Sequence, residues 1–443
     1  MWFRRDLRVA DNPALVAACS HGEVVPVFVL DPEFLARTPS PRTRFLFDAL
    51  ANLNTSLEGS LVLRSGNPAN VLVGLAAEVG ATDVYCAKDF APYGRARDTS
   101  VAQSLKERGI RLRGIGSPYA VEPGVIVKDD GTPLAVFTPY FKRWLVKSWD
   151  SPSETPAPCW ATGVKSESLP AMPDTVHALP SASEESAWSR WDQFKTSALA
   201  SYSDHRNAPA TDGTSMMSPF LRFGLVHPRQ LLAESEPIET NRTFVSEICW
   251  REFYADVLFN KPQTAWENLQ TKMNVLPNDS GRVAEGRFAA WCEGKTGYPI
   301  VDAGMRQLLA TGWMHNRVRM IVASFLVKDL HLPWQWGARF FMRHLVDGDI
   351  ASNNHGWQWT AGTGTDAAPY FRVFNPSSQS EKFDPNGEYV RRWVPELADV
   401  PAADIHAPWS AKSGIPAGYC PPIVDHATER EETLRRYKIV SGK

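Results

Sequence analysis

The stretch that decides the fold is ASNNHGWQWTAGTGTDAAPYFRVFNP, at 351–376. It holds two adjacent asparagines, two tryptophans two positions apart, a run of threonine and glycine, and a dense aromatic block. It contains no obvious nucleophile, no set of metal ligands and no phosphate-binding loop. If this stretch forms an active site, its chemistry must therefore come from a molecule that the protein binds.

The composition is that of a globular protein, and its low net charge means that any charged binding surface must be a local patch. The chain has 443 residues, of which 43% are hydrophobic and 22% charged, and this length suits about two or three domains. The net charge of −2 gives no overall basic field, so any nucleic-acid contact must use a local patch. The 16 tryptophans exceed what core packing usually needs, and stacking surfaces or redox chains are the alternatives.

The six cysteines form no CxxC pair and lie at no zinc-binding spacing. No apolar run is long enough to span a membrane, and no signal peptide is found. We therefore expect a cytoplasmic protein with reduced thiols, no membrane contact and no metal site.

The first 125 residues alternate short apolar runs with amphipathic segments. This alternation predicts an α/β fold with a parallel, doubly wound sheet covered on both faces. No GxGxxG follows the first strand, so a dinucleotide site there has no support. The predicted strands are 24–30, 61–66 and 81–87, and the predicted helices are 42–58, 67–80 and 95–109.

A segment without periodicity separates this part from a helical one. Residues 149–187 are rich in Pro, Ser and Ala, which is typical of a linker. Beyond about residue 188 the pattern is helical almost throughout. We therefore predict an α/β domain at 1–125, an interdomain linker at 126–190 and an all-α domain at 191–443.

The segment NRTFVSEICWREFYADVLFN, at 241–260, is predicted to be a helix with an unusual face. Glu247, Trp250, Arg251 and Tyr254 share that face, because they follow the i, i+3, i+4, i+7 spacing. A carboxylate, a guanidinium and two aromatic rings together suit the wall of a polar cavity. A half-exposed amphipathic face is the alternative.

The segment TGWMHNRVRMIVASFLVKDL, at 311–330, is predicted to form a second helix with a similar face. Trp313, Asn316, Arg317 and Met320 repeat the same spacing. Two helices with matching faces favour one shared site. His315 is interpreted as a structural histidine rather than a ligand or a base.

The segment HLVDGDIASNNHGWQW, at 344–359, adds two carboxylates and an amide. No further hard ligands lie at loop spacing, so a calcium site is not supported. Asp347 and Asp349 can instead accept hydrogen bonds from a heterocycle, or pair with Arg319. The amide of Asn353 both donates and accepts, which suits a ring edge whose protonation changes.

Two shorter motifs carry less weight. EGKTGYP, at 293–299, lacks the first glycine of a phosphate-binding loop because Ala289 stands there. GTSMMS, at 213–218, offers hydroxyl groups for phosphate oxygens, with an ordinary N-cap turn as the alternative.

Four segments closely resemble the cryptochrome/photolyase family, and the resemblance extends from the first residues to about Trp409. It implies an α/β antenna domain followed by an all-α domain that binds FAD in a U-shaped conformation. The segments are MWFRRDLRVADNPAL at 1–15, WREFY at 250–254, KTGYPIVDAGMRQLLATGWMHNRVRMIVASFLVKDL at 295–330 and DGDIASNNHGWQWTAGTGTDAAPYFRVFNP at 347–376.

Within that family the sequence resembles a class I cyclobutane pyrimidine dimer (CPD) photolyase. Met320 stands where DASH cryptochromes usually carry Gln, and Asn353 is the photolyase residue beside flavin N5. The resemblance implies light-dependent repair of UV-damaged DNA, in which photoexcited, reduced FAD gives an electron to a dimer flipped out of the helix. Nothing in the sequence suggests more than a monomer.

The resemblance also implies a set of site residues. The catalytic roles fall on Glu247, Trp250, Met320, Asn353 and Trp359. The FAD contacts fall on Tyr202, Thr214, Ser215, Met216, Met217, Ser218, Arg251, Trp313, Asn316, Arg319, Asp347, Asp349 and Asn353. The contacts to DNA fall on Arg206, Glu247, Trp250, Asn316, Arg317, Met320, Trp359, Arg372 and Gln379.

Trp357 and Trp334 match the first two members of the family's electron-transfer chain of tryptophans. At the third position the best match is Asn278, and an Asn side chain cannot carry a hole. Three other tryptophans are alternatives for the distal member: Trp266, Trp291 and Trp336.

A second, antenna chromophore is implied by APYGRARD, at 91–98. The segment resembles the deazaflavin-binding subgroup more than the folate-binding one, which would carry an Asn-Glu pair at Tyr93 and Gly94. Asp89 retains one polar contact. An empty or alternative pocket stays open.

Two rival functions stay open at this point. A cryptochrome-like blue-light photoreceptor that signals through a partner predicts a regulatory tail and lost lesion contacts. A non-catalytic flavin-binding or single-strand-binding protein predicts no light-driven repair.

Overall fold

The apolar runs of the N-terminal part form parallel strands in the computed structural model, which describes residues 1–35, 40–171, 177–366, 369 and 372–441. One sheet has the order β1–β2–β3, and the other pairs β4 with β5. The three predicted strands are confirmed, each a few residues shorter than its apolar run. The strands are β1 Trp2–Phe3, β2 Val27–Leu30, β3 Val62–Ser65, β4 Asp83–Cys86 and β5 Arg111–Gly114.

Helices account for most of the remaining regular structure. Several begin with Pro in the first turn, where its missing N–H costs nothing. The helices are α1 Pro13–Cys19, α2 Pro32–Leu35, α3 Pro41–Ser56, α4 Pro68–Val79, α5 Pro92–Lys106, α6 Phe137–Lys147, α7 Glu184–Ser197, α8 Tyr202–His205, α9 Ser218–Phe223, α10 Pro228–Glu234, α11 Arg242–Asn260, α12 Arg282–Glu293, α13 Pro299–Thr311, α14 Asn316–Ser324, α15 Trp334–His344, α16 Ile350–Ala361, α17 Pro376–Phe383, α18 Glu388–Trp393 and α19 His426–Ser441.

Shorter helical turns connect these elements. A π-helical turn directly follows α14 at Phe325–Asp329. The 3₁₀ turns are Leu199–Ser201, Pro262–Ala265, Thr271–Val275, Pro395–Leu397 and Pro408–Ser410.

The chain divides into two compact units. Unit 1 comprises Met1–Thr175, Leu179–Ser197 and Ser215–Pro262, and therefore includes both sheets and α11. Unit 2 comprises Val176–Ala178, Ala198–Thr214 and Gln263–Lys443, and its regular structure is helical over the described residues. The expected α/β fold and helical C-terminal part are confirmed. The domain boundaries at 125 and 190 stay predictions.

Strand β5 was not predicted, because its sequence RLRG has no apolar run. Its charges pair with β4: Arg111 Nη2 and Arg113 Nε lie 2.8 and 2.5 Å from the two carboxylate oxygens of Asp83. The hydrogen bond from Arg111 is the main cause of a lowered pKa at Asp83. Ion pairs between the side chains of β5 and β4, rather than burial of apolar residues, are thus the feature that characterises this strand.

In unit 1, helix α11 is joined to a loop through a buried carboxylate. Glu252 accepts hydrogen bonds from the backbone N–H groups of Ala120 and Val121, at 2.5 and 3.0 Å, and from the indole N–H of Trp144, at 2.7 Å. Burial raises the pKa of Glu252 to about 7. These bonds fix the loop on the helix that carries several predicted site residues.

The core of unit 2 is built on α12–α16 and includes several of its aromatic residues, among them Trp291 and Trp357. The prediction of one helix over 311–330 is wrong. Gly312 adopts φ +69° and ends α13, and α14 begins only at Asn316. A glycine in the left-handed region is the usual helix terminator, so 312–315 form a connection instead. Within the described residues, no helix is long and apolar enough to cross a lipid bilayer.

Candidate FAD and nucleic-acid site

The predicted site residues fall in both units. Unit 1 contains Ser215, Met216, Met217, Ser218, Glu247, Trp250 and Arg251, and the others lie in unit 2.

The face predicted for α11 exists and is half-buried. Glu247, Trp250, Arg251 and Tyr254 all have intermediate exposure, whereas their neighbours Phe253 and Glu252 are buried. The Arg251 guanidinium donates to the carbonyl oxygens of Pro118, at 2.9 Å, and Leu221, at 3.3 Å. A regular α-helix of 19 residues therefore presents the four side chains together, as their spacing predicted.

Trp250 is held by a ring that sequence analysis did not identify. Phe137, at the start of α6, stacks on it with a centroid distance of 3.7 Å and an interplanar angle of 8°. Phe253 meets the indole edge to face at 5.6 Å. One face of Trp250 is therefore covered within unit 1, and its orientation is set by packing.

The hydroxyl-rich segment 213–218 does not form an ordinary N-cap. Helix α9 follows Met217, which makes no side-chain cap. The hydroxyl of Ser215 accepts a bond from the Met217 N–H at 3.4 Å, and the Ser215 carbonyl accepts one from Arg190 Nε at 3.1 Å. Met216 has φ +54°, a conformation uncommon for a residue other than glycine and often associated with function.

In unit 2, α14 is joined to the segment before α16 by an ion pair. Arg319 Nη2 lies 2.8 Å from Asp347 Oδ2, and the Asp347 side chain is only 3% exposed. Arg319 Nε also donates to the Met314 carbonyl at 2.8 Å, and its guanidinium lies 5.9 Å from the ring centre of Trp313. The pairing offered by sequence analysis for Arg319 and Asp347 is therefore present, although Trp313 lies before the helix.

His315 caps α14 and carries a buried polar atom without a partner. Its Nδ1 accepts from the Arg317 N–H at 3.2 Å, so the structural part of the role expected for it is present. Burial, together with the charges of Arg319 and other arginines, lowers the pKa of His315 to about 4, so the ring is neutral at pH 7. Nε2 then bears the proton, and it has no hydrogen-bond partner among the described residues.

Helix α16 supplies four of the predicted residues on different sides. Asp349 caps its first turn through the N–H groups of Ala351 and Ser352. The Asn353 amide donates to the Ala338 carbonyl, at 3.1 Å, and to Asn354. Trp357 is buried, and Trp359 is half-buried. Residues two apart on a helix point about 200° apart, which explains the different environments of the two tryptophans.

These residues fit a cofactor with polar ring edges and phosphates. The buried N–H of His315 needs an acceptor, which cofactor oxygens can supply. Asn353 and the pair of Arg319 with Asp347 add donors and acceptors in fixed positions. No group of three or more metal-binding side chains was found among the described residues.

A cluster of arginines in unit 2 is suited to phosphate. Arg317 Nε and Nη2 donate to the Asn207 side-chain oxygen at 3.1 and 2.8 Å, and its guanidinium lies 4.4 Å from the ring centre of Phe383. Burial, and then the charges of Arg206 and Arg372, lower the pKa of Arg317. Sequence analysis missed Asn207 and Phe383, because only the fold brings them to Arg317.

The tryptophans proposed for electron transfer have defined neighbours. The Trp357 ring lies 5.1 Å from Phe341 and 6.1 Å from Trp291. The Trp334 indole N–H donates to the Asn268 side chain at 2.8 Å. These contacts fix both indoles, and their role in electron transfer stays a prediction.

Comparison with known proteins places this arrangement in a family. The profile described as the FAD binding domain of DNA photolyase matches residues 244–439, and the DNA photolyase profile matches residues 1–159. The chain is 39% identical to the deoxyribodipyrimidine photo-lyase of Vibrio cholerae, with 100% of this chain and 99% of the relative covered. It is 38% identical to the Escherichia coli enzyme of the same name, with 99% and 98% covered.

Solved structures agree with the sequence comparison. A class III photolyase from Agrobacterium tumefaciens matches with a TM-score of 0.92 and 38% identity, covering 100% of this chain and 97% of the other. A Synechocystis cryptochrome matches with a TM-score of 0.87 and 29% identity, covering 98% of each chain. The chain therefore belongs to the DNA photolyase family.

Proposed function

We propose that the protein is a deoxyribodipyrimidine photo-lyase that uses light to split cyclobutane pyrimidine dimers in UV-damaged DNA. The observation that carries this proposal is end-to-end similarity to enzymes of that name, at 38–39% identity for the two quoted above. The cryptochrome match is at 29% identity, so the photoreceptor alternative is the weaker one. We further propose that the protein acts as a monomer in the cytoplasm.

FAD, when bound, supplies the light-driven one-electron chemistry that no side chain can perform. The chain's own task is to bind and orient it. Arg319, Asp347 and Asp349 offer a cation and two carboxylates, and the His315 N–H offers a buried donor. The Asn353 NH₂ group is held by the Ala338 carbonyl and the Asn354 side chain, so the side-chain oxygen of Asn353 would be the atom that meets a ring edge.

DNA binding falls to the arginine cluster and to two tryptophans. Arg206, Arg317 and Arg372 would hold phosphates, which makes binding salt-dependent. Photolyases are among the enzymes that take their target nucleotides out of the duplex. Trp250 and Trp359 would then stack against the everted bases, at about 1–3 kcal/mol per stacked base.

The finer lesion contacts are proposed from their residue types. The Glu247 carboxylate would meet a pyrimidine edge, and Asn316 would add amide hydrogen bonds. Met320 would offer the lesion an apolar contact with a polarisable, flexible side chain. The Gln379 side chain would contact the DNA backbone from α17.

We also propose an antenna chromophore in unit 1, a deazaflavin rather than a folate. Asp89 pairs with Arg97 at 3.1 Å, and Tyr93 bonds to Asp31. A side chain at Gly94 would collide with Asp89, since a Cβ there would lie 2.1 Å from Cγ. A photolyase from Sulfolobus tokodaii, 30% identical, is described with two FAD molecules and a novel light-harvesting cofactor, so a flavin-type ring is the alternative.

The assignment to class I rests on the sequence resemblance. The class III photolyase is as similar as the Escherichia coli enzyme, at 38% identity, so identity alone does not separate the classes. The proposed repair chemistry is the same in either case.

The test is light-dependent repair by the reduced, FAD-loaded protein. Dimer-containing oligonucleotide is incubated under near-UV or blue light, and recovery of intact thymines is followed against a dark control. We expect recovery only in the light. Glu247→Ala and Trp250→Ala should weaken repair or lesion binding while bound-flavin absorbance is retained. Absence of recovery in the wild type would favour a photoreceptor or a binding protein, and loss of flavin from both variants would show that the site is misplaced.

A further inference from the structure

Unit 2 contains an open cavity that lies apart from the residues proposed for FAD and for DNA. Its volume is about 430 Å³, within the range of small-molecule sites. It is lined by the segment around 266–278 and by the start of α15, together with Val327, Ala361 and Thr363. Among its lining residues, Trp334 has a proposed role in electron transfer, and Trp266 is one of the alternatives for the distal member of that chain.

Two indoles and several carboxamides form the walls. Trp266 is 41% exposed, and such a large exposed ring is a ready stacking surface. The Trp334 indole is held by Asn268, whose amide in turn donates to the Asn274 side-chain oxygen at 2.9 Å. These two hydrogen bonds fix the Asn268 and Asn274 side chains before a ligand binds, and they leave the Asn274 NH₂ group as a donor for that ligand.

The charge of the lining restricts the ligand. The described lining residues include four carboxamides and one carboxylate, Glu267, but no Lys or Arg. The lining itself therefore offers a phosphate group a negative charge and no cation, and the nearby Arg339 guanidinium lies 5.5 Å from the ring centre of Trp266. The carboxamides instead match a neutral edge that carries both N–H donors and acceptors. They are Asn268, Asn274, Asn278 and Gln335.

The sequence suggests why there is space for a ligand. Asn278 stands where the family resemblance predicts a tryptophan, and it lines this cavity. An Asn side chain is much smaller than an indole and replaces an apolar surface by an amide. At this position the wall of the cavity is therefore formed by an amide rather than by an indole.

We propose that this cavity binds an uncharged, planar nitrogen heterocycle with an amide or amine edge, stacked on Trp266. Adenine nucleosides and nicotinamide share this chemistry. The ring would stack on Trp266, and its edge would bond to Asn274. The proposal is independent of the repair activity, because none of its argument uses FAD or DNA.

The test uses the FAD-loaded protein, so that the flavin site cannot take up the probe. Adenosine and nicotinamide are titrated separately and binding is measured by calorimetry. Cyclohexanecarboxamide, which has the amide without the aromatic ring, and adenosine monophosphate serve as comparison probes. We expect saturable binding of at least one heterocycle, weaker binding of the monophosphate and none of the saturated amide. The heterocycle that binds identifies the ligand class.

Variants locate the site. Trp266→Ala should weaken binding about tenfold, as expected for the loss of one stacking partner. Asn274→Ala should weaken it as well. The control is Val275→Ala, because Val275 lies between two lining residues but is 73% exposed and does not line the cavity. Thermal melting and flavin content check that each variant is folded.

Three results would overturn the proposal. One is the absence of saturable binding by either heterocycle. Another is equal affinity in the wild type and Trp266→Ala. The third is tighter binding of the monophosphate than of adenosine, which would require a cation that the described lining does not provide.

Discussion

The packing of α15 on α16 predicts that Gly337 cannot accept even a methyl group. A Cβ built there would lie 2.1 Å from Cη2 of Trp357, and 2.6 and 2.7 Å from Cζ2 and Cζ3. Carbon atoms in contact are normally about 3.5–4.0 Å apart. The indole is 2% exposed, and Phe341 and Trp291 pack against it, so it cannot move without disturbing them.

The expected loss of stability in Gly337→Ala follows from two opposing effects. Replacing Gly by Ala in a helix stabilises it by about 1 kcal/mol. Overpacking a well-filled core costs about 1–3 kcal/mol. Because three ring atoms of a buried, enclosed side chain are involved, we take the upper end and expect Gly337→Ala to lose about 2 kcal/mol net.

Gly286→Ala is the matched control, since Gly286 lies within α12 and a Cβ there would have no neighbour within 4 Å. We expect this variant to be slightly more stable than the wild type, by up to about 1 kcal/mol. Thermal unfolding of both FAD-loaded variants is followed by circular dichroism. Gly337→Ala should melt several degrees below the wild type and Gly286→Ala at or above it. Equal shifts of the same sign would refute the packing argument.

Three further predictions concern other parts of the molecule. Lys328→Met should be more stable than the wild type at pH 7 by about 2 kcal/mol, because burial lowers the pKa of this ammonium group to about 8, while the lost hydrogen bond to the Arg372 carbonyl offsets part of the gain. Between pH 8 and about pH 10.5 the folded protein has lost this proton while the unfolded chain keeps it, so the stability of the wild type rises with pH in that range. Melting temperatures measured as a function of pH should therefore show the stability difference between Lys328→Met and the wild type shrinking there. Arg319→Ala should lower the FAD content of purified protein, measured by flavin absorbance, whereas exposed Arg339→Ala should not; equal content would contradict the assigned FAD contact. Phe137→Ala should weaken dimer binding several-fold in a gel-shift assay at unchanged flavin content, because the ring that fixes Trp250 is removed; unchanged affinity would contradict that role.

The fold was predictable where local signals are strong. Apolar runs located β2, β3 and β4, and the periodicity of 241–260 located α11 to within a residue. Strand β5 escaped because it is stabilised by ion pairs between residues 28 or 30 positions apart, Arg111 and Arg113 with Asp83. Gly312 could have been recognised as a helix terminator, and that would have placed Trp313 in a connection.

The residue types of the site were predictable from the sequence, but the partners that orient these side chains were less so. Spacing grouped Glu247, Trp250 and Arg251, because a single helix carries them. The partners that orient such side chains come from far along the chain, as Asn207 does for Arg317, 110 residues away. Periodicity within a helix gives no information about these partners, since they depend on tertiary packing.

The first part of the quoted stretch, residues 351–361, lies in a single helix, α16. Asn353 and Trp357 are four residues apart and so share one face. That face packs on α15, where the Asn353 amide donates to the Ala338 carbonyl and the Trp357 ring covers Gly337. Two small residues of α15 thus allow the close approach that fixes both an amide proposed for the flavin and an indole proposed for electron transfer. The position of those groups is therefore set by core packing rather than by a loop, and a single added methyl group at Gly337 should disturb both.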